Sequence, residues 1–543
     1  MKGETDVRLK WVERLEWRFV LIGSLLAVVM TSIPYLLGAS LGDDRRVFGG
    51  FVYGVEDCYS YVAKMRQGAA GAWLFHIPYT PESHPGALMY AFYLILGKLA
   101  VLFLPGDTTT RLVFGYHVAR VTLGIGLLLT TYSFLALLTD QVAVRRLAWL
   151  AITFGGGLGW LLVTSGQQNW LGSAPLDLIL PEGFTFLVLY AFPHLALARI
   201  LLLLGITAML AAWDLVPVGC GGHRRWALLA GASWLLMGFI VPFYVGIAWA
   251  VTAVTWVAWG LREERFRWLG APLAVVAGLV SAPAVAYAGW IFTSQPVYAA
   301  WASQNQVLSP HPLHYLVAFG LFLVPAALAV TEVWRAGGLS WFALGWVALM
   351  PMLAYLPFNL QRRLVEGVQI PLGFLAARGI YALGVSPRTR RGIAGGWILL
   401  LPLTNGLLVG GSSLFLLNRP AAIYRHAEEI EVMDWLAART TVEDVVLAAY
   451  GTGNYLPVRV PARVFVGHGP ESVRADEKRE LVARFFSNSV DHRWRESLIA
   501  EYHIRFVFVG PVERVSGGFD PSQAPYLELV HKVGDYAIFE VRM

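Results

Sequence analysis

The chain has 543 residues, of which 57% are hydrophobic and only 14% carry a charge. A soluble globular protein averages about 25% charged residues, so this composition excludes a soluble globule, a disordered chain and a disulfide-stapled secreted domain. The net charge of +6 comes from short Lys and Arg clusters between apolar runs, which is the arrangement that membrane orientation requires. The net positive charge is therefore explained without an acidic partner, and this argues against a nucleic-acid binder.

The N-terminal segment predicts an uncleaved first transmembrane helix. A basic stretch, Lys2 to Arg18, precedes an apolar run from Phe19 to Gly38, and this run exceeds the roughly 7–15 residues of a signal-peptide core. Because cytoplasmic loops are enriched in Lys and Arg, we expect the N-terminus inside and residues 39–111 outside. Within that first outer loop, the apolar piece 87–104 is expected to lie as a jacket helix rather than as a span.

The remaining apolar runs predict a polytopic α-helical membrane protein with about eleven spans. The run Trp226–Leu261 is too long for one span and is expected to fold as a hairpin near Pro242. Cys58 then falls outside and Cys220 inside, so no disulfide is expected. The alternation places outer loops at 164–182, 292–312 and 358–367, and it places the basic clusters inside: Arg145–Arg146, His223–Arg225, Arg262–Arg267, Arg335 and Arg388–Arg391.

Composition changes after Leu417, which predicts a transmembrane domain over residues 1–419 and an extracytoplasmic soluble α/β domain over residues 420–543. In the second domain, the glycines of Tyr450–Tyr455 indicate a turn. The predicted strands are Val445–Ala449, Arg463–Val466, Arg505–Val509 and Tyr536–Val541, and the predicted helices are Glu428–Ala438, Glu477–Phe486 and Trp494–Tyr502. No lipid-phosphate or nucleotide loop is indicated at Gly155–Trp160, where close helix packing is the expected role.

Two acids, Glu56 and Asp57, lie early in the first outer loop. Asp57 and Tyr61 are spaced i,i+4, so a helix that starts there places both side chains on one face. One interpretation is that the acids cap this helix, since carboxylates suit a helix N-terminus. The other is that one of them is a catalytic acid, because a carboxylate next to a membrane is costly and tends to be functional.

The segments Asp57-Cys-Tyr-Ser-Tyr61, Gly71-Ala-Trp-Leu-Phe75, Pro78-Tyr79 and His84-Pro85 resemble the first periplasmic loop of GT-C glycosyltransferases. The similarity is to the branch of the lipid A aminoarabinose transferases and the protein O-mannosyltransferases. Cys58 stands where that family has its second acid, Ala72 replaces the acid of its turn motif, and Gly86 replaces its second jacket proline. The resemblance covers roughly residues 15–150 and supports a jacket helix over 87–104.

The resemblance implies transfer of a sugar from a polyprenyl-phosphate donor, with inversion, to a lipid, glycan or protein acceptor outside the cell membrane. It implies that Asp57 acts as general base and that Tyr61 and His84 line the substrate cavity. Any role of the family's second acid passes to Glu56 or is absent. No cofactor is implied. A divalent cation bridging Asp57 and the donor phosphate stays open, although no set of oxygen ligands is visible in the sequence.

The predicted topology suggests further candidates for the donor-phosphate site and the substrate cavity. Arg362 and Arg363 fall on the predicted outer side against the usual basic trend, and arginine can bind a donor phosphate through two hydrogen bonds. Gln361 beside them and His194 near an outer boundary are candidates for the substrate cavity. Lys64 and Arg66 are further candidates for the phosphate site, and solvated helix positions are the favoured interpretation of both.

Two other functions remain open from the sequence. One is a transporter or flippase of lipid-linked sugars, although the two related halves typical of transporters are not visible. The other is a non-catalytic membrane assembly subunit of the same fold, which the cysteine at position 58 favours.

Overall fold

The computed structural model describes residues 12–216, 222–262, 270–336, 339–515 and 517–542, and these residues are mostly helical. Cys220, for which the sequence predicts a cytoplasmic position, lies outside the described residues. The N-terminal helices and those of the apolar region are α1 (Arg14–Leu41), α2 (Val55–Ala69), α3 (Ala91–Phe103), α4 (Thr108–Leu138), α5 (Val142–Phe154), α6 (Gly159–Thr164), α7 (Leu176–Ile179), α8 (Thr185–Ala191), α9 (Pro193–Ala212), α10 (His223–Gly238), α11 (Phe243–Arg262), α12 (Gly270–Ser294), α13 (Pro296–Gln304), α14 (Leu313–Ala336), α15 (Ser340–Ala354), α16 (Gln369–Ala382), α17 (Pro387–Leu400) and α18 (Leu403–Leu416).

Eight helical segments within the described residues are long and apolar enough to cross a membrane: α1, α4, α5 with α6, α9, α11, α12, α14, and α17 with α18. The sequence predicted about eleven spans. The helices α10, α15 and α16 have 16, 15 and 14 residues, fewer than the roughly 20 that span a bilayer. The hairpin predicted near Pro242 is confirmed, because α10 ends at Gly238 and α11 begins at Phe243. In the first loop, α3 has 13 residues, fewer than the roughly 20 that span a bilayer.

By contacts the chain divides into two compact units. The first unit comprises Met1–Ser32, Ala119–Ala288 and Val307–Gly411, and the second comprises Ile33–Val118, Gly289–Gln306 and Ser412–Met543. In the first unit α14 packs on α16, α9 on α10, and α16 on α5. These helices are apolar on most faces, as expected of helices that meet both protein and lipid.

The glycine run between α5 and α6 interrupts a helix in the first unit. A Cβ on Gly157 would lie 2.0 Å from the carbonyl oxygen of Ala318 on α14, which confirms the close packing predicted for this run. The backbone groups freed by the interruption find side-chain partners. Asp177 Oδ2 accepts the amides of Gly157 and Gly159 at 2.9 and 3.0 Å, and Gln369 donates to the carbonyl of Gly155 at 2.8 Å. Such pairing is what allows irregular backbone in a membrane protein.

In the second unit, α2 and α3 cross at unusually short range. A Cβ on Gly97 of α3 would lie 1.9 Å from the carbonyl oxygen of Met65, and one on Gly68 of α2 would lie 2.0 Å from that of Leu94. The two glycines therefore allow the helix backbones to touch. This contact orients α2, which carries Glu56 and Asp57.

The C-terminal part of the second unit is the predicted α/β domain. Its elements are β2 (Tyr424–His426), α19 (Ala427–Ala437), β3 (Val445–Leu447), α20 (Tyr450–Arg459), β4 (Arg463–Val464), α21 (Ala475–Phe485), α22 (His492–Glu501), β5 (Ile504–Val509), α23 (Pro511–Val515), β6 (Leu527–Val533) and β7 (Tyr536–Val541). The sheet order is β4-β3-β5-β7-β6, with the first three strands parallel and the last two antiparallel to their neighbours. Strand β2 pairs instead with β1 (Arg46–Phe48) of the first loop.

The predictions for this domain are confirmed for its four strands and three helices within two residues or so at each end. Strand β6, with an exposed and interrupted apolar pattern, was not predicted. The turn predicted at Tyr450–Tyr455 is wrong, because these residues form the first half of α20. A Cβ on Gly453 would lie 2.0 Å from the carbonyl oxygen of Val466, so this glycine serves helix packing rather than a turn.

Candidate active site

The two acids stand in the first turn of α2. The helix begins after Gly54, whose φ of 56° lies in the left-handed region that glycine adopts at no steric cost, and no side chain caps its N-terminus. Glu56 and Asp57 lie in the first turn, where carboxylates suit a helix N-terminus. Their carboxylates also meet two side chains of the C-terminal domain.

Those two partners follow neighbouring parallel strands. Tyr450 comes three residues after β3, and His468 comes four residues after β4. Loops at the carboxyl ends of parallel strands converge on one edge of the sheet, which is where open α/β sheets bind ligands. The N-terminus of α2 lies against this edge, so the first loop and the C-terminal domain form the site together.

Asp57 is bonded to an imidazole. Its Oδ1 lies 3.0 Å from Nε2 of His468, and 46% of its side chain is exposed whereas only 8% of His468 is. Beside it, Glu56 Oε2 accepts a hydrogen bond from the hydroxyl of Tyr450 at 3.0 Å, and the amide of Asn454 donates to the Glu56 carbonyl at 3.4 Å. Asp57 is thus anchored through Oδ1, and about half of its side chain is exposed.

A buried ion pair lies behind His468. Glu471 Oε1 accepts from Nζ of Lys64 at 2.7 Å and from the hydroxyl of Ser60 at 3.2 Å, and it lies 3.5 Å from Nδ1 of His468. Lys64 is completely buried, and its ammonium also stands 4.3 Å from the ring centre of Tyr90. The prediction that Lys64 is a solvated position is wrong. Arg66 is also engaged, with hydrogen bonds to the Val458 carbonyl and to Thr109.

The charges of this network follow from its geometry. Burial by itself would lower the pKa of His468, but the hydrogen bonds and charges of Asp57 and Glu471 outweigh burial and raise this pKa to about 9. Burial likewise acts to raise the pKa of Glu471, yet Lys64 and His468 lower it to about 2. At neutral pH the network therefore contains an imidazolium between two carboxylates.

The predicted cavity residues of the first loop have defined places. Tyr61 stacks on Tyr93 with ring centres 4.5 Å apart. His84 accepts the amide of Ile77 at Nε2 and bonds the carbonyl of Glu82 through Nδ1, both at 2.8 Å, so it is a neutral imidazole; burial lowers its pKa. His84 also lines a cavity of about 410 Å³ beside Arg66 and Arg463.

The first unit holds the other predicted residues. Gln361, Arg362 and Arg363 begin a short 3₁₀ helix, Gln361–Val365, and Nε of Arg363 lies 3.7 Å from the buried carboxylate of Glu182. His194 is buried in the first turn of α9.

This 3₁₀ segment is fixed from behind by a second buried ion pair. The guanidinium of Arg199 on α9 bonds both carboxylate oxygens of Glu366, and it also donates to the carbonyls of Pro181 and Glu182 at 2.9 Å. Arg199 and Glu366 are both completely buried. The loop that carries Arg362 and Arg363 is therefore rigidly held at its C-terminal end.

Oδ1 of Asp57 already bonds Nε2 of His468, so a cation would have to bind this carboxylate beside the imidazole ring. Among the described residues, no three His, Cys, Asp or Glu side chains form a group suited to a metal ion. No step below is routed through a metal.

His468, Glu471 and Tyr450 were missed in the sequence. The segment Val466-Gly-His-Gly-Pro-Glu471 carried a usable signal, because a histidine between two glycines directly after a predicted parallel strand stands at the sheet edge that binds ligands. The burial of Lys64 had no local signal, since its partner is 407 residues away in the chain.

Solved structures share this fold, whereas the sequence matches no protein-family model and no curated protein. ArnT from Cupriavidus metallidurans, bound to undecaprenyl phosphate, is 12% identical with a TM-score of 0.53, and the match covers 97% of this chain and 98% of that one. The arabinofuranosyltransferase AftD from Mycobacteria is 14% identical with a TM-score of 0.55, over 98% of this chain and 40% of that one.

A third solved structure is the Archaeoglobus fulgidus oligosaccharyltransferase tethered with an acceptor peptide. It is 11% identical with a TM-score of 0.50, over 92% of this chain and 70% of that one. All three are membrane glycosyltransferases of the GT-C superfamily. At such low identity the likeness establishes the fold, and the GT-C-like fold expected from the first outer loop is confirmed.

The charge network predicts a specific dependence of stability on pH. The raised pKa of His468 means that its contribution is complete below its ordinary value of 6.5 and is lost as the pH rises through about 9. The lowered pKa of Glu471 means that its contribution is complete above 4.5 and is lost as the pH falls towards 2. His468→Gln should therefore remove an alkaline loss on the order of 3 kcal/mol.

The measurement is thermal unfolding of the detergent-solubilised protein between about pH 6 and pH 10 for both forms. His531→Gln is the matched control, since His531 stacks on Trp435 outside the network. The charge assignment would be contradicted by parallel curves for the wild type and His468→Gln.

Proposed function

We propose that this protein is a membrane glycosyltransferase that moves a sugar from a polyprenyl-phosphate donor to an acceptor hydroxyl on the extracytoplasmic face. The single observation that carries the proposal is the half-exposed carboxylate of Asp57, at the position where the first loop resembles the GT-C pattern, bonded to His468. The shared fold supports it, because the three similar structures are glycosyltransferases and one of them binds undecaprenyl phosphate.

The proposed reaction is a single displacement at the anomeric carbon of the sugar. The acceptor oxygen forms a bond to the anomeric carbon of the sugar as the bond from that carbon to the phosphate oxygen breaks on the opposite face, which gives inversion. The acceptor proton passes to the carboxylate of Asp57, and the polyprenyl phosphate leaves with the electron pair. A carboxylate suits this role because the acceptor proton becomes acidic only as the new bond forms.

Glu56 is the second acid of the site, and we assign it a binding role. Its carboxylate accepts from Tyr450 and remains exposed, so it can accept a hydroxyl of the acceptor or sugar. Cys58, at the position of the family's second acid, is buried and takes no part. Tyr61, His84, His194 and Gln361 remain proposed residues of the substrate cavity.

The first prediction concerns Asp57. Asp57→Asn should lower kcat for transfer of radiolabelled sugar from a polyprenyl phosphate by about 10²–10⁴-fold, because the amide cannot take the acceptor proton. The amide oxygen still accepts from His468, so the fold should persist. The matched control is Asp107→Asn at the start of α4, where the asparagine oxygen can still accept the amides that Asp107 accepts. Equal transfer by Asp57→Asn and wild type would remove Asp57 from the mechanism.

The second prediction concerns the leaving phosphate. We assign it to Arg362 and Arg363, since charge that develops in the transition state is stabilised by donors already in place. Replacing both by alanine should weaken donor binding by about 10–100-fold. Direct binding of a polyprenyl phosphate measures this. Because Glu182 also loses its ion pair with Arg363, the unfolding temperature of this variant is measured alongside.

The matched control for the arginine pair is the double variant Arg388→Ala with Arg391→Ala, which removes two exposed arginines from α17. It should bind the donor as the wild type does. Normal donor binding after loss of Arg362 and Arg363 would place the phosphate site elsewhere.

The third prediction concerns orientation, with the N-terminus cytoplasmic and the C-terminal domain outside. A cysteine at exposed Ser489 should react with a membrane-impermeant maleimide in intact cells. The wild type should not react, because the Cys58 thiol is buried and Cys220 is expected inside. Reaction of Ser489→Cys only after cell lysis would reverse the topology and overturn the proposed face of transfer.

A further inference from the structure

His468 lies between two carboxylates that come from different parts of the chain. Its Nε2 contacts Asp57 at 3.0 Å, and its Nδ1 is 3.5 Å from Glu471. Because the ring is 8% exposed and Glu471 is 2% exposed, water cannot easily replace either contact. Of Asp57, His468 and Glu471, only Asp57 has a substantially exposed side chain.

Glu471 is bonded to two side chains of α2. Lys64 and Ser60 both donate to its Oε1, and Lys64 also donates to Ser60 at 2.5 Å. Ser60 and Lys64 lie one and two turns after Asp57 along the same face of α2. The same helix therefore positions Asp57 directly and positions Glu471 through its buried ammonium.

We infer that His468 and Glu471 are positioning residues of the proposed transferase, and that the C-terminal domain supplies them to complete the site. Glu471 favours the protonated, donor form of His468, and His468 fixes the carboxylate of Asp57 through Oδ1. This inference rests on the proposed function.

Loss of a proton from His468 at alkaline pH should disturb the position of Asp57. When the ring loses one proton, Glu471 competes with Asp57 for the proton that remains. If Nδ1 keeps it, the lone pair of Nε2 faces the Asp57 carboxylate, and the repulsion turns the base out of position. The other groups that face this ring are the ring of Tyr79 and, through Glu471, the ammonium of Lys64; Tyr450 bonds the adjacent amide of Gly469.

The experiment is the pH profile of kcat and KM for the full-length protein in detergent, with a radiolabelled polyprenyl-phosphate sugar. The wild type should lose kcat as the pH rises through about 9. His468→Gln keeps a neutral donor near the position of Nε2, so it should lose this alkaline limb and retain within about tenfold of the neutral kcat. His468→Ala should lose about 100-fold in kcat at unchanged KM.

Glu471→Gln tests the second positioning residue. Removal of this carboxylate should move the alkaline limb down by about 1–2 pH units, since an opposite charge at such range shifts a pKa by that much. Because this variant leaves Lys64 buried without its partner, its unfolding temperature is measured alongside. If Glu471→Gln does not fold, the comparison of His468→Gln with His468→Ala decides the matter.

The outcomes separate the two proposals. An alkaline limb that persists unchanged in His468→Gln, or equal kcat for His468→Gln and His468→Ala, would overturn the positioning role and leave the transferase intact. Absence of sugar transfer by the wild type, with Asp57→Asn no different, would overturn the proposed function and this inference with it. His531→Gln should follow the wild-type profile.

Discussion

A row of alternating charges, Lys64, Glu471, His468 and Asp57, is the constraint on which the site depends. Burying such groups is costly, and a buried ion pair adds stability only when its geometry and remaining hydrogen bonds are good. Here each carboxylate is bonded by a cation on at least one side, and the exposed end of the row is the carboxylate of Asp57. The row therefore holds the carboxylate of Asp57, the proposed base, in a fixed orientation.

The same row explains why the C-terminal domain is joined so closely to the first loop. Strand β1 of that loop pairs with β2 at the entry to the domain, and α20 packs on α2. These contacts bring the carboxyl ends of β3 and β4 to the N-terminus of α2. A domain that served only to dock an acceptor would not need to place a buried histidine and glutamate beside the base.

Much of the fold was predictable because it follows from local patterns. The hydrophobic pattern of the sequence predicts the long apolar helices, the break near Pro242 and most strands of the C-terminal domain. The candidate base, Asp57, was predictable from a local motif. The predictions that were wrong depend on contacts between residues far apart in the chain. Lys64 has the sequence context of a solvated helix position, and only its distant partner Glu471 makes it a buried charge. The helix at Tyr450–Arg459 failed because its glycines reflect tight packing, a signal that resembles a turn.

The most direct test of the central claim is a structure of the protein in a lipid bilayer with a polyprenyl-phosphonate sugar that cannot be cleaved. The anomeric carbon should lie close enough to the Asp57 carboxylate for one acceptor hydroxyl to fit between them. The acceptor oxygen would then stand about 3–3.5 Å from the anomeric carbon. His468 should remain bonded to Asp57 in that complex. A sugar bound more than about two helix diameters away, each roughly 10 Å, would contradict the account.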